Sequence, residues 1–427
     1  SAATKREMIA ANLDLAPTVL SFAGIVPNQD DFIGKVIKKR SVDGTALDKV
    51  DMVDQLNQRV SMTNRLRNPV VKGFVVLQII VLVLCLISLY GIKRLLPFSR
   101  FMVVLMTVVP LILLLISLVP TLSEGIYVTA VILGSLVLTA LLLKIFKRYN
   151  FWVFITIAIL TLLALNVDAF FASPLLKSSV LGYDPMAGAR YYGIGNEYMG
   201  IILGCTILIA ASLYQWVDRK WARIVSILIF MVELYIIGAP SLGTNAGGAI
   251  AAAFGFLFSF LLFNDYRISW RMLMGVGFFV AALIAGLAVF DMNRPPELQT
   301  HIGRAANLIA AYGWNEAWQI IYRKLAMNWK LIQYTIWSRV FIGILLTIVI
   351  VLFNPRGILL KVKNDFPYLI NGFIGIVFAA FAALAFNDSG IVAAATTSIF
   401  LGFPMLFLIL GELYDTPDNT GLDRSNS

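Results

Sequence analysis

From residue 70 to residue 411 the sequence is a succession of apolar stretches. Each is roughly 18–23 residues long, the length a helix needs to cross about 30 Å of hydrocarbon. Eleven stretches can be marked: 70–92, 100–120, 125–146, 151–171, 197–217, 222–240, 246–264, 271–290, 337–354, 367–386 and 390–411. Backbone in lipid must satisfy its own hydrogen bonds, so runs of this length fold as helices. The expected fold is an all-α polytopic membrane protein with about eleven transmembrane helices. Composition agrees: 59% of the 427 residues are hydrophobic and 14% charged, with mean hydropathy +0.84. A soluble domain is nearer ~45–50% apolar and ~25% charged.

The short loops give an orientation. One alternate set reads KRLLPFSR (93–100), KRYN (147–150), DRKWAR (218–223), NDYRISWR (264–271) and NPRGILLKVKND (354–365), and every member is basic. The opposite set includes TLSEG (121–125), APSLGTN (239–245) and NDSG (387–390), without Lys or Arg. Short cytoplasmic loops carry the excess of Lys and Arg. The N-terminus is therefore expected outside, and the polar tail 412–427 cytoplasmic and disordered. The net charge of +10 belongs to these flanks. No basic stripe with stacking aromatics stands elsewhere, so nucleic acid is not an expected partner.

Cys85 and Cys205 fall inside apolar runs and read as small buried hydrophobes. His301 is the single histidine, so a histidine-based metal cluster is excluded within the chain; it reads as an interfacial histidine, or as a general base. Glu233 lies within the sixth stretch. An acid there is usually paired inside the bundle and marks a functional hypothesis. Residues 1–69 hold no spanning run. Leu47, Val50, Val53, Leu56 and Val60 recur at helical spacing, which predicts an amphipathic linker helix over 46–69 that the Arg-Asn-Pro at 67–69 breaks. The start, SAATKREMIAANLDLAPTVL, has neither an initiator Met nor a signal peptide, and residue 1 is expected to continue a longer polypeptide.

Two segments break the pattern on the outer side. The first, within 172–196, ends in GYDPMAGARYYGIGNEY. Irregular backbone near membrane depth survives where it is buried in protein or lines a wet cavity. Two readings fit: a pocket floor with Arg190 and Asn196 pointing in, or a re-entrant turn whose Arg190 pairs with Glu197 or Asp184. The second, 291–336, carries Arg294, Arg304, Arg323, Lys324 and Lys330, with Arg339 just beyond. After a turn at Pro295 and Pro296, its Leu308, Ile309, Tyr312, Trp318, Ile321 and Tyr322 predict amphipathic helix on the outer interface. Its cations need a counter-charge. Anionic headgroups, or Asp291, Glu297 and Glu316, supply one; the phosphate of an anionic substrate supplies another.

Two short motifs complete the outer face. PSLGTNAGGA (240–249) puts Asn245 at the start of a helix whose free N–H groups favour an anion; packing explains its glycines equally well. FNDSGIV (386–392) offers Asn387, Asp388 and Ser389 as caps.

DLAPTVLSFAGI, with Asp14, Leu15, Ala16, Pro17, Thr18, Leu20, Gly24 and Ile25, resembles the closing segment of alkaline-phosphatase-superfamily hydrolases. The resemblance covers about residues 1–40. It implies a short extracytoplasmic α/β remnant, whose nucleophile and Asp/His metal ligands would lie upstream. A divalent metal would belong there, with no cofactor in this chain. The membrane part resembles bacterial envelope proteins that fuse such a domain to a many-spanned bundle and carry GARYYGIGNEY, LGTNAGG and NDSG motifs. RYYGIGNEYMG and SLGTNAGG also resemble, more weakly, motifs of O-antigen ligases and polymerases.

The expected function is binding of an anionic, lipid-linked envelope precursor at the outer face of a bacterial cell membrane, for presentation to that upstream domain. Arg190, Arg304, Arg323 and Arg339 would hold phosphate. Asn196, Asn245 and Asp388 would set geometry, with Asp184, Glu197 and Asn387 in the same pocket. Tyr191 and Tyr192 would stack on a sugar or line the way in. A lipid-linked glycan ligase, a flippase and a plain anchor are the rival readings.

Overall fold

The computed structural model describes residues 1–415 except 2, 29–30, 120–122, 148–150, 189, 295–300 and 354–356. Fifteen α-helices follow one another: α1 Leu15–Phe22, α2 Ala46–Tyr90, α3 Leu96–Leu115, α4 Glu124–Ile145, α5 Trp152–Phe170, α6 Asn196–Trp216, α7 Arg219–Gly238, α8 Ala246–Phe263, α9 Trp270–Met292, α10 His301–Tyr312, α11 Trp314–Tyr334, α12 Trp337–Leu352, α13 Ile358–Asp365, α14 Pro367–Phe386 and α15 Gly390–Asp415. No strand occurs among the described residues. The described part of residues 1–45 holds one 3-10 turn, Asn12–Asp14, and α1.

The helices start where their caps are. Thr45 and Asp48 form a reciprocal capping box at α2. Ser123, Asp218, Asn245 and Ser269 accept first-turn N–H bonds at α4, α7, α8 and α9. Among the described residues, ten helices are long and apolar enough to cross a membrane: α2 to α9, α14 and α15. An eleventh crossing is completed only by a broken pair. Ala317–Tyr334 meets Trp337–Leu352 at 81°, so the expected span 337–354 is a 16-residue helix, α12, with α11 turned sharply away from it.

The short connections between the long helices gather at two ends of the bundle. One end, here the polar end, gathers the start of α6 and α8, the α14–α15 turn, residues 172–195 and the N-terminal segment, whose Lys5 Nζ donates to Pro240 O at 3.4 Å. The other, basic end gathers Arg94, Arg100, Lys144 and Lys147 and the last turns of α15, where Gly411 faces the Arg100 guanidinium.

The interior is built by α6, α8, α14 and α15. A Cβ at Gly200 of α6 would stand 2.3 Å from Ala393 O of α15. One at Gly255 of α8 would stand 2.5 Å from Ala379 Cβ of α14. Lipid tails are as apolar as leucine, so such close backbone approach is what favours helix on helix over helix on lipid.

Three expectations are corrected. The linker helix does not end at Arg-Asn-Pro: α2 is continuous for 45 residues with Pro69 inside it. A proline removes one N–H bond and crowds the preceding turn, but here the helix is anchored on both sides. Asn64 and Arg67 are hydrogen-bonded before Pro69, and Val71, Phe74 and Val75 are buried after it. At the other terminus, α15 runs to Asp415, so residues 412–415 are helical; the remaining tail, 416–427, lies outside the described residues. The interfacial segment is two helices rather than one. On α11, Trp314, Trp318, Tyr322, Leu325 and Trp329 are exposed at i, i+4, i+8, i+11 and i+15, an aromatic stripe suited to a membrane–water interface. The turn at Pro295 and Pro296 and Glu297 lie outside the described residues, as do the side chains of His301, Arg304, Tyr312 and Glu316.

Candidate functional site

At the polar end, the 172–195 segment is fastened to the bundle from three directions. Two glycine-rich turns meet first. Ile194 N donates to Gly243 O at 2.7 Å. Gly193 beside it has φ +78° and would drive a Cβ to 2.3 Å from the same oxygen, so only glycine fits. Asn245 then works on both sides. Its Oδ1 accepts from Gly248 N at 2.8 Å and caps α8, while its Nδ2 donates to Ile194 O at 3.0 Å and to Asn196 Oδ1 at 3.2 Å.

Arg190 closes the segment on itself. It forms an isolated antiparallel bridge with Asp184, and its Nη1 donates to Ile194 O at 2.9 Å. Burial pushes its pKa down, and the charge of Glu197 is the largest influence opposing that, with a smaller one from Asp388. Tyr191 folds back over Gly188. The Tyr192 ring lies 4.3 Å from Lys5 Nζ, a cation–π contact with the N-terminal segment. Arg6 stands 5.8 Å over the Tyr183 ring in the same way.

The third direction is α2, and sequence reasoning missed it. Arg67 Nη2 pairs with Glu197 Oε1 at 2.5 Å, and its Nη1 donates to Val180 O and Gly182 O at 3.0 and 3.1 Å. Asn64 Nδ2 donates to Asp184 Oδ1 at 3.1 Å. Asn64 and Arg67 are i, i+3 neighbours on one helix face. That polar pair, next to the start of an apolar run, was the signal available in the sequence.

The α14–α15 turn adjoins this network. The Asn387 side chain abuts the first turn of α8, where a Cβ on Gly247 would lie 2.7 Å from Asn387 Oδ1. Its own Nδ2 has no hydrogen-bond partner among the described residues, although the residue is only 4% exposed. Asn328 of α11, also missed, holds the turn: its Nδ2 donates to Leu384 O and Asn387 O at 3.1 and 2.8 Å, and its Oδ1 accepts from Gly390 N at 2.9 Å. Asp388 is exposed and pairs with Lys324 at 3.1 Å.

Of the expected residues, Asp184, Arg190, Tyr191, Tyr192, Asn196, Glu197 and Asn245 come together, with Asn387 and Asp388 beside them. Among the described residues, no hydrogen bond or ion pair brings Arg323 or Arg339 to Arg190. Arg190 spends its guanidinium on loop carbonyls. Arg323 and Arg339 are exposed on α11 and α12, with no side-chain hydrogen bond or ion pair among the described residues. The side chain of Arg304 lies outside the described residues. The network is thus a locked wall whose charged groups are engaged inside it: Arg67 by Glu197, Arg190 by loop carbonyls and Asp184 by Asn64.

Open space lies on the next face of α2. A cavity of about 500 Å³ is lined by Arg59, Arg65, Ser117, Glu124, Tyr127 and Ser178, among others. Arg65 Nε pairs with Glu124 Oε1 at 2.6 Å. Arg59 has no side-chain partner among the described residues, and the buried Ser117 Oγ has none either. Ser178 belongs to the fastened segment, and its carbonyl accepts from Thr63 Oγ1 at 3.4 Å; one face of α2 therefore holds the wall and the adjacent face holds the cavity. Among the described residues no three His, Cys, Asp or Glu side chains stand close enough to hold a metal ion. The cavity can offer guanidinium and hydroxyl donors to an anionic oxygen. The chain matches no protein-family model, no curated protein and no solved structure.

Proposed function

We propose that this multi-pass membrane protein binds an anionic, lipid-linked, phosphate-containing envelope precursor at the extracytoplasmic face of a bacterial cell membrane. In this reading the polar end faces outward, which the basic loops at the other end favour. The precursor's headgroup occupies the cavity beside α2, with phosphate against Arg59 and Arg65, and its chain leaves past Met62 and Ile116. The network of Arg67, Glu197, Arg190 and Asn245 keeps the cavity wall in place. The bound headgroup is presented to a phosphatase-like domain ahead of Ser1. The contacts of Lys5 and Arg6 with Tyr192 and Tyr183 support that direction, since they set the N-terminal segment on the cavity wall.

One observation carries the proposal: a cavity of about 500 Å³ at the polar end, with an arginine that no acid among the described residues pairs with. A polyprenyl monophosphate titrated into the detergent-solubilised chain tests it. Arg59→Gln should weaken binding about tenfold, the value of one charge-assisted contact, with thermal unfolding unchanged. Equal affinity in the variant would refute the cavity as the site.

A second reading, transport, draws on one feature. Glu233 is 2% exposed inside α7, and its Oε1 accepts from Asn166 Nδ2 of α5 at 2.7 Å. Intramembrane acids mark transport paths by default. Movement of the same probe across a vesicle bilayer, abolished by Glu233→Gln, would favour it.

A further inference from the structure

Glu233 stands on α7 shortly before its polar end at Gly238, and Asn166 on α5 shortly before its polar end at Phe170. Glu233 is 2% exposed. Its Oε1 accepts from Asn166 Nδ2 at 2.7 Å. Its Oε2 has no hydrogen-bond partner among the described residues, and neither has Asn166 Oδ1, although both oxygens are shielded from solvent. No Lys, Arg or His among the described residues pairs with the carboxyl group. The surrounding helices offer little else. Cys205 of α6 is the titratable group nearest in influence, and α8 carries no ionisable side chain. Asp168 of α5 is spent on Leu175 N and Leu176 N.

A carboxylate can only accept hydrogen bonds, whereas a carboxylic acid also donates one. The two orphaned oxygens belong to the two planar groups that already meet through Nδ2 and Oε1. Both are acceptors, so neither can serve the other. One proton on Oε2 supplies the donor that both lack. Reversing the amide does not remove the need, because an amide oxygen 2.7 Å from Oε1 would again call for a proton between them. A water donating to both oxygens would satisfy them and leave a charge in the apolar interior with no cation to meet it, which is costly. A metal ion asks for about six oxygens, and the described residues hold no group of three acidic, Cys or His side chains.

We infer that Glu233 is a proton-binding site: Oε2 carries a proton and donates it to Asn166 Oδ1, closing a ring of two hydrogen bonds between α5 and α7. Binding forms one O–H bond with a proton delivered by water from the polar end, and no electron is transferred. Without the proton one amide N–H alone holds the charge, and α5 and α7 lose half of their link. Neither residue lines the cavity beside α2, so the site stands whether or not that cavity binds a precursor. The transport reading would need such a group, but the proton does not depend on transport.

Infrared spectra of the full chain in lipid at neutral pH test the site, with E233Q, N166A and D168N beside the parent. The parent should show the carbonyl stretch of a protonated carboxylic acid, apart from the carboxylate bands. E233Q should lose that band and keep the parent's thermal midpoint, because its amide N–H takes the place of the O–H. N166A should keep the band at a higher frequency, because the Glu233 carbonyl loses its N–H donor; this variant carries the test if E233Q does not accumulate. D168N should leave the band in place. No such band in the parent, an identical band in E233Q, or its loss in D168N instead, overturns the proton on Glu233. A band that does not move in N166A overturns the ring with Asn166.

Discussion

α15 and α9 are both apolar helices running between the two ends of the bundle, and they are buried to opposite extents. All of α15's apolar window lies inside the protein; for α9 the share is 12%, although α9 is the more apolar of the two. Both contain glycine. On α9, a Cβ at Gly275, Gly277 or Gly286 would meet nothing within 4 Å, and Phe278 and Phe290 point outward at 78 and 69% exposure. On α15, Ala393, Thr396 and Thr397 face Gly200 and Gly204 of α6. The hydroxyls there are satisfied within their own helix, Thr397 Oγ1 to Ala393 O and Ser398 Oγ to Ala394 O, both at 2.7 Å. Apolar character sends a helix into the membrane. Matched small residues with satisfied hydroxyls send it to the centre of the protein.

The contrast can be broken most severely at Gly200. Gly200→Val puts carbon where Ala393 O and Thr396 Oγ1 already stand. It should cost about 3 kcal/mol or more, read as a large fall in thermal midpoint in detergent or as failure to accumulate. A variant as stable as the parent would show that α6 and α15 do not pack this closely.

The next effect tests what fixes the start of α6. Arg67→Ala strands Glu197, which is 15% exposed at its side chain, and should cost about 2–3 kcal/mol, since removing one partner leaves a poorly solvated charge. Glu197→Gln added to it should recover part of that loss. Additive losses in the double-mutant cycle would mean the pair is not coupled. The smallest effect belongs to the periphery: Gly277→Ala on α9 should change stability by less than about 1 kcal/mol, toward greater stability, because alanine is the better helix former. A clear loss there would place α9 against a partner.

The apolar runs were legible residue by residue because the bilayer imposes one length and one chemistry on every crossing. Asn245 was legible as a helix start for the same local reason, since a cap is written within four residues of the helix it caps. Partners distant in the chain were not. Glu197 is satisfied by Arg67, 130 residues earlier, and nothing near either residue announces the other. Nor was it legible that Arg190 would be engaged by local carbonyls, because the sequence does not say which cations already have partners. Pro69 misled in the other direction. A proline reads as a stop, but its cost is one hydrogen bond and a crowded turn, and the anchored turns on both sides outweigh it.

Asn328 has a consequence for α11. Its single amide grips three backbone groups of the α14–α15 turn, so α11 cannot roll about its long axis without unmaking all three at once. The azimuth of that helix is therefore keyed. Its row of Trp314, Trp318, Tyr322 and Trp329 keeps one bearing relative to the bundle, as a keel does to a hull, whatever the lipid beneath it.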